Sequence, residues 1–170
     1  PSLVDRNLSI PSTKLKHLIS SIQEAISEGH KALVFSQFTS MLELIVRELS
    51  RESVRFTYLD GQTKDRQERV KAFQEDQRLQ VFLISLKAGG TGLNLTAADY
   101  VFLYDPWWNP AAEQQAIDRA HRIGQTKKVF TYRLITKDTV EEKVVELQQQ
   151  KRDMVKGIIS DDGEFVKKLN

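Results

Sequence analysis

The chain has 170 residues, 40% hydrophobic and 28% charged, with no cysteine; this suits one globular domain and excludes disulfide scaffolds and cysteine-ligated metal sites. Lys plus Arg number 25 against 23 Asp plus Glu, a formal net charge of +2, so a polyanion site has to be local rather than a field of the whole surface. The longest apolar runs, around residues 81–85 and 100–104, fall well short of the roughly 20 residues that span a bilayer.

Residues 1–11 lack the basic start and apolar stretch of a secretory signal, which fits a cytoplasmic protein if the source is prokaryotic and a nuclear one if it is eukaryotic. Because the chain starts at Pro1 rather than at an initiator, it is expected to be a piece of a longer protein. The first element is a helix with Ser12 as N-cap, an apolar stripe of Leu15, Leu18, Ile19, Ile22 and Ile26, and Gly29 as its stop,. Strands are then expected over residues 32–36, 54–59, 81–85, 100–104 and 129–134, each nearly continuous apolar sequence, as in strands covered on both faces,. Residues 41–49 and 65–73 supply crossover helices, and Pro110 opens another that runs to about residue 123,. A final helix is capped by Asp138 or Thr139, with Glu142 in capping-box position and an apolar stripe of Val140, Val144, Leu147, Met154 and Ile158; residues 161–170 are expected to fray,. This alternation predicts an α/β three-layer sandwich, a mainly parallel sheet with helices on both faces. Residues 1–136 form the lobe, and residues 137–170 a helical extension packed on it.

Ligands of open parallel sheets bind at the carboxyl ends of the strands, which here carry most of the polar, Gly and Trp residues. After the third strand, Gly89, Gly90 and Gly92 leave backbone N–H groups open to phosphate oxygens,. The loop is not a Walker A motif, since no Gly-Lys pair occurs, and it lacks the third glycine of a dinucleotide fingerprint,. A tight structural turn explains it equally well. On the helix after Pro110, Gln115, Arg119 and Arg122 stand at i, i+4 and i+7 and so share one face,; two guanidinium forks suit a phosphoryl group. The plainer alternative is an exposed face paired with Glu113 and Asp118, and His121 reads as structural. In Asp105-Pro-Trp-Trp-Asn-Pro110, one buried and one exposed indole is the natural arrangement, and an exposed ring beside Lys87 would make a platform for a sugar or base.

Four segments resemble motifs IV, IVa, V and VI of helicase superfamily two: Phe35-Ser-Gln-Phe38; Leu59-Asp-Gly-Gln-Thr63 with Arg66; residues 85–94; and Gln115-Ala-Ile-Asp-Arg-Ala-His-Arg-Ile-Gly-Gln125. The last, with Trp-Asn-Pro upstream, is similar to the Swi/Snf branch of chromatin remodellers and DNA translocases, and the likeness runs from Leu15 to Ile158. It implies the second RecA-like lobe of an ATP-driven motor on double-stranded DNA. Neither Walker A nor an Asp-Glu-x-His motif occurs here; these, with the Mg²⁺ that accompanies ATP, would belong to the N-terminal lobe of the same chain. The resemblance implies that Arg119 and Arg122 reach ATP across the interlobe cleft and that Gln115, Gly90, Gly92 and Asn94 serve the nucleotide. It implies that Ser36, Gln37, Ser85, Lys87 and Trp108 meet DNA. Nucleosomes or DNA-bound proteins would be further partners. Lys87 stands where many relatives carry arginine, and Trp107 where other residues are commoner. The competing function is a non-catalytic DNA-binding or partner-docking module that kept the fold; a free-standing Rossmann-type enzyme fails on the missing third glycine and the absence of an acid/base pair.

Overall fold

In the computed structural model the described residues are 12–88, 93–122 and 124–167; the side chains of 152 and of residues from 155 onward are outside the description. Helix α1 (Thr13–Ser27) is capped by the Ser12 hydroxyl, which accepts the Leu15 N–H, and presents Leu15, Leu18, Ile19 and Ile22 to the core. It ends where Gly29, at φ 82°, takes the left-handed conformation that glycine adopts at least cost,. Then follow β1 (Ala32–Ser36), α2 (Thr39–Arg51), β2 (Phe56–Leu59), α3 (Arg66–Glu75), β3 (Val81–Ser85), β4 (Tyr100–Leu103), α4 (Pro110–Ile117), β5 (Phe130–Arg133) and α5 (Val140–Lys167).

The five strands form one wholly parallel sheet in the order β2-β3-β1-β4-β5. The chain moves from β1 outward to β2 through α2 and back to β3 through α3, and right-handed crossovers in opposite directions place those helices on opposite faces. On one face α1 and α2 cover Ala32, Val34, Val81, Leu83 and Phe102. On the other, α3, α4 and the segment 93–98 cover Leu33, Phe35, Phe82, Ile84, Val101 and Leu103. Successive residues of β1 thus enter different cores, so the strand is buried throughout,. Strand β5 is an exposed edge. Its aromatic rings stack on β4, Tyr132 on both Tyr100 and Phe102 at centroid distances of 5.9 and 5.3 Å.

Two expectations about helices need correction. The helix opened by Pro110 stops at Ile117 rather than near residue 123, with residues 118–120 in turn geometry, so Gln115, Arg119 and Arg122 do not lie on one regular helical face. The stripe assigned to α5 is mostly outward: Val144 is buried, but Val140, Leu147 and Met154 are exposed. Ile158 lies among the side chains outside the description. What holds α5 is polar as well as apolar. Lys14 of α1 binds Glu141 at 2.6 Å, and Gln148 is buried among loop and helix groups described below. At its start the Thr139 hydroxyl accepts the Glu141 N–H at 3.2 Å and the Glu142 carboxylate accepts the Asp138 N–H at 2.8 Å, a reciprocal cap displaced by one residue from the expected box.

Candidate functional site

At the carboxyl edge of the sheet, Ser36 and Ser85 stand in register on neighbouring strands, and both are buried. The Ser36 hydroxyl donates to the Asp105 carboxylate and accepts the Phe38 N–H at 3.1 Å. Gln37, half-buried, donates its side-chain amide to the Pro106 carbonyl at 3.2 Å. The loops after β1 and β4 are thereby latched together. Burial pushes the Asp105 carboxyl above the usual carboxylate range, against the hydroxyl of Ser36 and the ammonium of Lys14, which hold it down,. Exposed on this edge, among the described residues, are Lys87, Phe38 at 53% and Trp108 at 52%. Trp107 packs partly against the core beneath. Of the DNA-contact candidates, then, Lys87 and Trp108 reach solvent, Gln37 does so partly, and the side chains of Ser36 and Ser85 do not.

The motif IVa residues build a turn at the same edge. The Asp60 carboxylate accepts the N–H groups of Gln62 and Thr63 at 2.9 and 3.0 Å and the Thr63 hydroxyl at 3.0 Å, while Arg66 donates to the carbonyls of Asp60, Gly61 and Thr63. These bonds occupy the Arg66 fork within the loop.

From Asn109, whose side chain caps α4 by accepting the Ala111 N–H, the chain runs from the carboxyl edge to the opposite edge, where Phe130 donates to the Asp99 carbonyl. Arg119 and Arg122 follow α4 and lie against segment 93–98. The Leu95 N–H donates to the Arg119 carbonyl at 3.1 Å, Arg122 reaches the Leu93 carbonyl at 3.5 Å, and the Gln125 amide donates to the carbonyls of Thr96, Ala98 and Ala120 at 3.0, 2.9 and 3.2 Å. Gly124, at φ 103°, makes the reversal between them, with nothing within 4 Å of where its Cβ would stand; backbone conformation, not space, requires glycine there. Motif VI is therefore stapled to the end of the motif V segment. Gly90 and Gly92 lie outside the described residues. Asn94 has an exposed side chain and a carbonyl that accepts the Gln74 amide at 2.8 Å.

The two arginines differ sharply. Arg122 is exposed, whereas Arg119 is only 7% exposed, its Nε has no hydrogen-bond partner, and among the described residues no carboxylate pairs with it. Burial and the neighbouring Arg122 charge both pull its guanidinium below the ordinary value. A buried, uncompensated cation is costly, and such groups are normally paired with an anion. Gln115 is exposed on α4. Neither acid proposed as a surface partner for the arginines takes that part. Asp118 accepts from Gln114 at 2.9 Å. Glu113 is fully buried and binds Arg133 at 2.8 Å. Its place could have been read from the sequence, because Glu113, Ala116 and Ala120 recur at helical spacing on the core side. Among the described residues no group of three or more His, Cys, Asp or Glu side chains is placed to hold a metal ion.

A parallel five-stranded sheet with helices on both faces and this order of loops defines a RecA-like α/β domain of the superfamily two type. The model of the helicase conserved C-terminal domain matches residues 13–124, and the chain belongs to that family, in its Swi/Snf-type branch. It is 46% identical over 155 residues to the DNA repair protein RAD5B of Arabidopsis thaliana, covering 89% of this chain and 12% of that protein. It is 44% identical over 152 residues to the helicase SWR1 of Cryptococcus neoformans, covering 88% of this chain and 12% of that one. The chromatin-remodeling ATPase INO80 of Gibberella zeae is 41% identical over 170 residues, with 94% of this chain and 9% of that protein covered. The chain thus spans about an eighth or less of these relatives. The crystal structure of the C-terminal part of the Fun30 ATPase domain superposes with a TM-score of 0.78 at 41% identity, over 81% of this chain and 45% of that one.

Proposed function

We propose that this chain is the second lobe of an ATP-dependent motor that tracks double-stranded DNA, completed by an N-terminal RecA-like lobe of the same protein. The observation that carries the reading is Arg119. A guanidinium buried without a counter-charge suits an anion delivered from outside the lobe, and a γ-phosphoryl group held on a facing lobe supplies one. Charge gathers on the phosphoryl oxygens during transfer, so a cation presented across the cleft stabilises that state more than the bound nucleotide. Arg122 on the same turn adds a second fork, with Gln115 and Asn94 beside the nucleotide. Gly90 and Gly92 would shape the neighbouring loop. Mg²⁺ would be held with the phosphates by the other lobe.

DNA falls to the carboxyl edge, where Lys87 and Trp108 offer a charge and an indole to the backbone and groove, while Ser36, Gln37 and Ser85 shape the loops that carry them. Residues 137–170 serve as an extension braced on residues 1–136. The names of the relatives, from plants and fungi, favour a nuclear setting with nucleosomes or DNA-bound proteins as further partners. A docking module without catalysis accounts less well for the site, since it gains nothing from burying Arg119 unpaired.

The test is Arg119→Ala in the full-length protein. Nucleotide binding should survive while DNA-stimulated turnover falls by roughly 10³-fold or more, the scale of an arginine finger. Turnover within about threefold of the parent would overturn the proposal.

A further inference from the structure

Where α4 leaves the carboxyl edge, four separate pieces of the chain meet on one buried carboxylate. Glu113, 0% exposed, accepts the Trp107 N–H at 2.7 Å and the Gln148 amide at 2.8 Å through Oε1, and the Arg133 Nε–H at 2.8 Å through Oε2. The Gln148 amide also donates to the Trp107 carbonyl. The backbone on both sides of Trp107 is therefore held, the N–H by α4 and the carbonyl by α5, and the exposed Trp108 follows directly in the chain. Six residues beyond Glu113, past the end of α4, lies Arg119.

A buried carboxylate with three donors is a rigid junction, because losing any one of them leaves a desolvated charge under-bonded. Hydrogen bonds thus tie the Trp107 loop to α4, which ends at Ile117, two residues before Arg119. The charged pair is completed by β5 and the amide by α5, which fixes the junction to the edge of the sheet and to the final helix.

We propose that Glu113 is a positioning residue that couples DNA contact at Trp108 to the placement of Arg119, with Gln148 as its second arm. This rests on the proposed motor function. Glu113 itself touches neither nucleotide nor DNA.

The experiment uses the full-length protein, with steady-state ATP turnover measured across a titration of a linear DNA duplex. Glu113→Gln keeps the side-chain shape and one acceptor for Trp107 but loses the charge that holds Arg133. We expect the ratio of DNA-saturated to DNA-free turnover to fall at least fivefold, with KM for ATP within twofold of the parent. Gln148→Ala, which removes a single arm, should lower the same ratio, and the double variant should lose less than the product of the two single effects. Should Glu113→Gln fail to fold, Gln148→Ala carries the test alone. A purely structural role would lower the melting temperature but leave the stimulation ratio of the folded enzyme alone. A ratio within twofold of the parent in a folded variant overturns the inference while leaving the motor reading intact. A parent that DNA does not stimulate overturns both.

Discussion

Asp105 shows how one residue can hold a loop at a cost to the fold. Its carboxylate takes the Ser36 hydroxyl and so sets the spacing of the loops after β1 and β4, yet burial pushes its titration upward. A carboxyl that titrates higher in the folded chain than in the unfolded one favours the proton-bearing fold, so stability declines as pH rises from the ordinary carboxylate range, about 4, through the raised value. Asp105→Asn keeps an acceptor for Ser36 and removes the buried charge. The melting temperature of this variant should exceed the parent's at pH 7, with the advantage shrinking toward pH 4. A variant less stable than the parent at every pH would show instead that the charge is needed for Lys14. Arg119 carries a similar cost with the opposite charge, and there the proposed remedy is a ligand rather than a neighbour. Neither burial could be read from the sequence. Arg119 looks like one of two matching arginines on a helix, and only the turn after Ile117 separates a buried fork from the exposed one.

At the scale of elements, the strands were legible to within two residues at either end; in β1 and β3 this is because a strand covered on both faces is written as an unbroken apolar run, whereas β5 reads alike yet is exposed along its length, since it forms the edge of the sheet,. The start of α1 was equally plain, with Ser12 in the capping position. Helices with mixed environments were not. In α4 a small-residue pattern continues to Ala120 although the chain has already left helical geometry, and its carbonyls are taken by Gln125 and Leu95 rather than by further turns. In α5, apolar spacing alone does not tell a core stripe from an exposed one: Val140, Leu147 and Met154 recur every seven residues yet face outward, while the polar Gln148 is buried. The loops at the carboxyl edge were placed correctly as a group, and the division of labour between the two tryptophans came out as one ring half-covered and one exposed. Lys87 and Trp108 should fail differently when changed in the full-length protein. Lys87→Ala should weaken duplex binding evenly across sequences and lower the slope of log K against log salt by about one unit at most. Trp108→Ala should leave that slope alone, weaken binding by roughly 1–3 kcal/mol if stacking is its contribution, and leave the melting temperature near the parent's. A large thermal loss on Trp108→Ala would mark that ring as core and shift the contact to Trp107.

On the proposed reading the whole molecule is one half of a two-lobed motor. Its sheet, its two cores and its staples between motif V and motif VI hold the described residues together, while its sequence carries no Gly-Lys-Ser/Thr loop. The likeness in motifs IV to VI implies this division, since those segments occur in order and neither a Gly-Lys-Ser/Thr nor an Asp-Glu-x-His segment accompanies them. Phosphoryl transfer depends on positioning and on metal-assisted neutralisation of the phosphates, both supplied by a P-loop lobe. Steady-state ATP turnover by the purified 170-residue chain, measured beside the full-length protein with saturating duplex DNA, therefore tests the account most directly. The account predicts turnover in the full-length protein and none above background in the isolated chain; sustained hydrolysis by the isolated chain would contradict it.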